Sequence, residues 1–196
     1  KCGEQLWIYA NGLDQGRVRQ WGEEDEIKSV SRGMTFRRDL VTVQEIRSGL
    51  SVLADDVATE LRRKNLKGSV VQVQIKTPAL KSYSRQTTLK HYTYLQKEIL
   101  DEAFKLLKNN WNIGLSAPVR ALTVGMTHLV PADQTSEQLS LFDMGLGSDN
   151  PQIRRERQER LEAAVDHLRQ KHGNNMITRG FWDNEDIGIS RNKKEK

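Results

Sequence analysis

Residues 28–37, KSVSRGMTFR, alternate without a break. Val30, Met34 and Phe36 fall on one side, and Ser29, Ser31, Gly33, Thr35 and Arg37 fall on the other. That period of two describes a strand with one face buried and one face wet. Just beyond it the period changes. Ile46, Leu50, Leu53, Ala54, Val57 and Leu61 recur at helical spacing, so the pattern predicts a helix over 43–66. Thr42 stands where an N-cap is needed, with Glu45 three residues later as in a capping box. Lys67 and Gly68 are the expected close. The pattern returns to two at 69–76 (SVVQVQIK), with Val71, Val73 and Ile75 inward and Gln72, Gln74 and Lys76 outward, until Pro78. A nearly all-polar strand at 82–89 (SYSRQTTL) lies close enough to form a hairpin with it. A second amphipathic helix follows at 95–111 through Ile99, Leu100, Ala103, Phe104, Leu107 and Trp111. A fourth strand at 119–129 (VRALTVGMTHL) turns Leu122, Val124 and Met126 inward.

The order is strand, helix, strand, strand, helix, strand, which predicts an α+β fold. Both helices cover one face of a four-stranded sheet and leave the other face to solvent. The outward residues are Ser, Thr, Gln, Gly, Lys and Arg rather than Asp and Glu. The 196-residue chain carries a formal net charge of +5, and such a balance invites a polyanion because Lys and Arg that neutralise phosphates release counterions. An ordinary solvated surface has the same composition, so the placement of the charge matters more than its sum. No apolar run approaches the roughly 20 residues that cross a bilayer, and a membrane partner is not expected. Cys2 is the only cysteine, so no internal disulfide forms.

The flanks differ from the centre. Residues 1–14 read as the end of a helix, with Leu6, Tyr9, Ala10 and Leu13 on one side and Asn11-Gly12 as a stop. Residues 15–26 lose periodicity and hold the acidic run Glu23-Glu24-Asp25-Glu26, as a linker does. The regular domain spans 27–130. A tether follows at 131–152, then a charged helix and tail at 153–196. Ile153, Leu161, Val165 and Leu168 form the thin apolar stripe of that helix, and residues 188–196 are expected to lack structure.

Within the tether stands Gln138-Leu139-Ser140-Leu141-Phe142. It resembles the bacterial sliding-clamp-binding peptide, in which the glutamine enters a small polar pocket and the leucine–phenylalanine pair fills an apolar groove. Three large apolar residues together in a polar segment mark a contact site; packing of Leu141 and Phe142 back onto the domain is the lesser alternative.

The strand at 28–39, KSVSRGMTFRRD, is similar to the opening strand of the "little finger" domain of Y-family translesion DNA polymerases. Lys64-Asn65-Leu66-Lys67-Gly68, Tyr83-Ser84-Arg85-Gln86-Thr87-Thr88-Leu89 and Val119-Arg120-Ala121-Leu122-Thr123-Val124-Gly125 match in the same order. Residues 3–14, GEQLWIYANGLD, look like the last thumb helix of that family. The likeness covers roughly residues 1–142, with a weaker echo in 153–172 and 177–180. It implies a sheet laid along the major groove of duplex primer–template DNA, touching phosphates of both strands. Carried over residue by residue, it assigns DNA contacts to Lys28, Ser29, Ser31, Arg32, Gly33, Thr35 and Arg37, and to Ser84, Arg85, Gln86 and Thr87. Gly125 departs from some relatives, standing where a basic residue occurs in them. It further implies a monomeric fragment of a bacterial cytoplasmic, nucleoid-associated enzyme of lesion bypass, DNA repair and the SOS response. The partners implied are DNA and the β-subunit sliding clamp.

Nucleotidyl transfer in that family uses palm carboxylates that hold two metal ions. No such motif occurs here, so the fragment is expected to be non-catalytic and free of cofactor, with Mg2+ expected for the parent enzyme. Asp55 and Asp56 read as solvated helix residues. His167 and His172 lack further ligands at zinc spacing, and His91 and His128 are isolated. Two other classes share parts of the pattern. An RNA-recognition domain has the same element order but stacks bases on exposed central aromatics, whereas here strand three offers only Tyr83, and Phe36 faces inward. A protein-interaction scaffold would have an incidental basic face.

Overall fold

The computed structural model describes residues 2–17, 20, 26–112, 116–134, 151–173, 176–177 and 185–189. Its elements are α1 (Cys2–Ala10), β1 (Ser29–Leu40), α2 (Val43–Arg63), β2 (Leu66–Lys76), β3 (Ser82–Thr93), α3 (Gln96–Asn110), β4 (Val119–Pro131) and α4 (Pro151–His172). Short 3-10 turns lie at Ala132–Gln134 and Glu185–Ile187. The tether's pentapeptide at 138–142 and the run at 23–25 fall outside the described residues.

The fold is α+β, as the pattern implied. Four antiparallel strands stand in the order β1-β4-β2-β3. The last strand in sequence is therefore internal, and its inward residues Leu122, Val124 and Met126 are fully buried. Against that face lie α2 and α3, whose apolar stripes Ile46, Leu50, Leu53, Val57, Leu61, Ile99, Ala103 and Leu107 complete one core. Burial of this kind stabilises by about 1.5–3 kcal/mol per large side chain relative to exposure.

The capping box at the start of α2 forms as expected. Glu45 N donates to Thr42 Oγ1 at 3.2 Å, and Glu45 Oε2 accepts from the Thr42 and Val41 amides, both at 3.0 Å. Partial burial pushes the Glu45 carboxyl up. The Arg38 guanidinium at 2.6 Å and the two amides outweigh that effect and hold it at about 2. A depressed carboxyl stabilises the fold above its ordinary pKa of 4.5, and the contribution disappears as pH falls towards 2. Thr42→Ala is expected to lower stability by about 1 kcal/mol. Urea unfolding at pH 7, and in steps from pH 5 down, reads both effects.

The helix stops earlier than its periodicity suggested. Asn65 takes a left-handed φ of 52°, a conformation Asn tolerates better than most residues. The next residues join the sheet, with Leu66 opposite Pro131 and Lys67 opposite Val130. Lys67-Gly68 is thus part of β2 rather than a helix close. Likewise β3 runs on to Thr93 through an irregularity opposite Gly68–Val70.

The greatest departure lies beyond the tether. Helix α4 docks on the helical layer with Glu159, Glu162 and Asp166 turned inward. Arg62 forms ion pairs with Glu162 and, at 2.5 Å, with Asp166, and Lys67 meets Glu159 at 3.0 Å. Glu162, only 1% exposed, also accepts from the Gln96 amide at 3.2 Å. That bond supplies an N-terminal partner for α3, whose own N-cap Leu95 offers no side-chain acceptor. The same corner is closed by Arg155 donating to Tyr92 O at 2.8 Å and Arg62 donating to Tyr94 O at 3.1 Å. Asp55 is buried and paired with Arg169 at 2.8 Å, which corrects the solvated reading. The tail is corrected as well: Ile187 and Ile189 join the core cluster beside β1, and Asp186 bonds Arg38 at 2.7 Å. Residues 190–196 lie outside the described residues.

Candidate nucleic-acid interface

The sheet face away from the helices is built in four transverse rows. Reading from β1 through β4 and β2 to β3, they are Ser29–Thr127–Val70–Thr88, Ser31–Gly125–Gln72–Gln86, Gly33–Thr123–Gln74–Ser84 and Thr35–Ala121–Lys76–Ser82. Of these sixteen positions none is acidic and none is aromatic. Hydroxyls and carboxamides dominate because each alternates with an inward apolar residue such as Phe36, Val71, Val73 or Leu122. Arg37, exposed, follows the buried Phe36 beyond the Thr35 row, and exposed Lys28 precedes β1 at the other end.

Two glycines keep the centre flat. A Cβ on Gly33 would stand 2.7 Å from Thr123 Oγ1, and one on Gly125 would stand 3.2 Å from Ser31 Cβ. A side chain at either place would displace a neighbour and raise the surface just where a sugar–phosphate chain would lie. Gly125 therefore supplies closeness of approach where a basic residue would supply charge.

The structure brings together Ser29, Ser31, Gly33, Thr35, Ser84 and Gln86, and leaves Lys28 and Arg37 at the ends of β1. Arg32, Arg85 and Thr87 lie on the other side, because each alternates with a residue of the open face. Arg32 is ion-paired at 3.3 Å with Glu60 of α2. Arg85 donates to Asn110 Oδ1 of α3 at 3.4 Å, and Thr87 is half-buried. Expecting these three on the open face gave charge and hydroxyl precedence over the pleat. The face also holds residues that were not among the expected contacts: Thr123 and Thr127 of β4, and Gln72, Gln74 and Lys76 of β2. The last three were legible as outward, but that β4 enters the middle of the sheet was not.

Chemically, such a face offers hydrogen-bond donors to phosphate oxygens and a few cations, with no carboxylate to repel them. It lacks the exposed aromatics on which an RNA-recognition sheet stacks bases. Among the described residues no three His, Cys, Asp or Glu side chains come together to hold a metal ion. No described helix is long and apolar enough to cross a membrane.

Comparison with known proteins agrees with this geometry. Residues 27–141, more than half of the chain, match the impB/mucB/samB family C-terminal domain. The chain is 38% identical over 191 residues to a DNA polymerase IV of Acetivibrio thermocellus, covering 97% of the chain and 45% of that protein. It is 33% identical over 180 residues to one of Clostridium kluyveri (92% and 44%). A third, of Oceanobacillus iheyensis, is 32% identical over 176 residues (90% and 39%). The chain spans less than half the length of these curated relatives.

Proposed function

Because the chain belongs to the Y-family polymerases through their impB/mucB/samB C-terminal domain, we propose that it is the DNA-gripping, clamp-tethering part of a translesion DNA polymerase. The observation that carries this reading is the acid-free open face, with Lys76 on it and Lys28 and Arg37 at its rim. Amides and hydroxyls reach phosphates at short range, the glycines permit close approach, and the cations release counterions. A broad face of amides and hydroxyls meets the phosphates rather than the base edges, so the grip tolerates any sequence and any damaged base that leaves the backbone continuous. That tolerance suits DNA repair and damage tolerance, including an SOS response.

Nucleotidyl transfer, and the Mg2+ it uses, belong to carboxylates outside residues 1–196. Gln138, Leu139, Ser140, Leu141 and Phe142 carry the second half of the proposal. They would bind the groove of the bacterial sliding clamp and keep the enzyme at the nucleoid while the sheet holds duplex.

Replacing Arg37 and Lys76 together by alanine is expected to lower affinity for a duplex about tenfold at low salt. It should also reduce the slope of log affinity against log salt by about two. Fluorescence anisotropy with a labelled primer–template measures both. Unchanged affinity in the folded double variant would remove the open face from the binding surface.

A further inference from the structure

On the helix side of the sheet, β3 forms an edge, and a cavity of about 550 Å3 opens between that edge and the end of α3. Its mouth is built from alternate residues of one stretch: Lys81, Tyr83 and Arg85. The alternation sends all three side chains to the same side, with the aromatic ring between two cations and about 13 Å from the first Cα to the last. Trp111, after α3, completes the wall, its ring centroid 5.3 Å from that of Tyr83 and tilted by 54°. Tyr83 is 42% exposed, more than a ring serving only the core would be. Arg85 is held at the mouth by Ser84 O at 2.8 Å and Asn110 Oδ1 at 3.4 Å. The floor is apolar, from Ile75, Leu106 and Leu107, and among the described residues no carboxylate lines it.

An apolar corner of two mutually tilted aromatic rings, flanked by cations, matches a nucleobase attached to a phosphodiester chain. Bases stack on exposed aromatic and guanidinium planes whatever their identity, and the cations track the backbone. The volume lies within the range of small-ligand sites. An apolar peptide side chain would use the floor but would leave Lys81 and Arg85 without a counter-charge. The site also adjoins the open face: Ser82, Ser84 and Gln86, which alternate with Lys81, Tyr83 and Arg85, belong to it. A strand leaving the duplex over the β3 edge meets this cavity next.

We propose that the Tyr83–Trp111 corner takes one unpaired nucleotide of single-stranded DNA, with the base against the two rings and the phosphate on Arg85 or Lys81. The proposal is independent of the duplex grip, because it uses residues on the other side of the sheet. The probe is (dT)12 carrying one 5-iododeoxyuridine, photo-crosslinked to the whole chain and mapped by mass spectrometry, with dTMP as competitor. Crosslinks are expected at Tyr83 or Trp111, and excess dTMP should suppress them. Crosslinks confined to other residues would overturn the proposal. Tyr83→Ala and, as a variant that leaves the core alone, Arg85→Ala should each weaken (dT)12 binding about tenfold. Both should leave duplex affinity unchanged, and Arg85→Ala should leave the melting temperature unchanged as well. Unchanged (dT)12 affinity in both folded variants, or an equal loss for duplex and single strand, would contradict it. Absent duplex binding with retained crosslinks would sink the duplex reading and leave this site standing.

Discussion

Glu162→Ala is expected to lower the unfolding free energy by about 3 kcal/mol, because removing one partner leaves another buried charge without full compensation. Besides Gln158 Nε2, which donates to it at 3.2 Å from the same helix, that carboxylate serves two groups of other elements. Arg62 is ion-paired with it and keeps Asp166 as its remaining acidic partner on its loss, and the Gln96 amide, the first of α3, loses its acceptor. For a domain of about 150 residues this corresponds to a fall of roughly 6–12 °C in melting temperature. Glu162→Gln retains an acceptor for Gln96 while removing the charge, so it should fall between the two. Urea unfolding of the three proteins measures the series. A change below about 1 kcal/mol for Glu162→Ala, which is typical of exposed pairs, would mean that α4 is not docked in solution. The expected result makes α4 a third layer of the domain.

The second large effect concerns that pentapeptide. Leu141→Ala combined with Phe142→Ala is expected to reduce affinity for the bacterial sliding clamp at least about 100-fold. Burying each such side chain contributes about 1.5–3 kcal/mol, and apolar anchors of this sort dominate peptide interfaces. Both residues lie in a polar stretch, so the exchange is expected to leave folding stability unchanged. Isothermal calorimetry against the purified clamp, paired with a melt of the double variant, separates binding from folding. Equal affinity of wild type and variant would refute the tethering role.

The elements and their inward faces were legible in the sequence because each buried face imposes its own period, as Val71, Val73 and Ile75 do in β2. The cap at Thr42 and Glu45 was equally legible, being complete within four residues. What sequence did not show depends on partners far along the chain. Nothing near Leu95 announces that the acceptor for α3 comes from Glu162, and nothing near Asp55 announces Arg169. Ile187 and Ile189 carry too short a pattern to stand out from a charged tail, yet both are buried beside β1. Arg32 and Arg85 teach a different lesson. Their parity with Val30, Phe36 and Tyr83 already placed them on the helical side, and the attraction of charge to phosphate obscured it. The open face was read correctly from the residues whose chemistry is mild, Ser29, Ser31, Gly33 and Thr35, and its flatness rests on Gly125, which charge-based reasoning counted as a deficit.

The most direct measurement is the binding of two duplexes of equal length and unrelated sequence over a series of salt concentrations. A phosphate grip by Lys28, Arg37 and Lys76 predicts indistinguishable affinities for the two, falling with salt at a slope near −3 on logarithmic axes, at about 0.9 per phosphate neutralised. Affinity that differs strongly between the sequences, or that does not respond to salt, would contradict it.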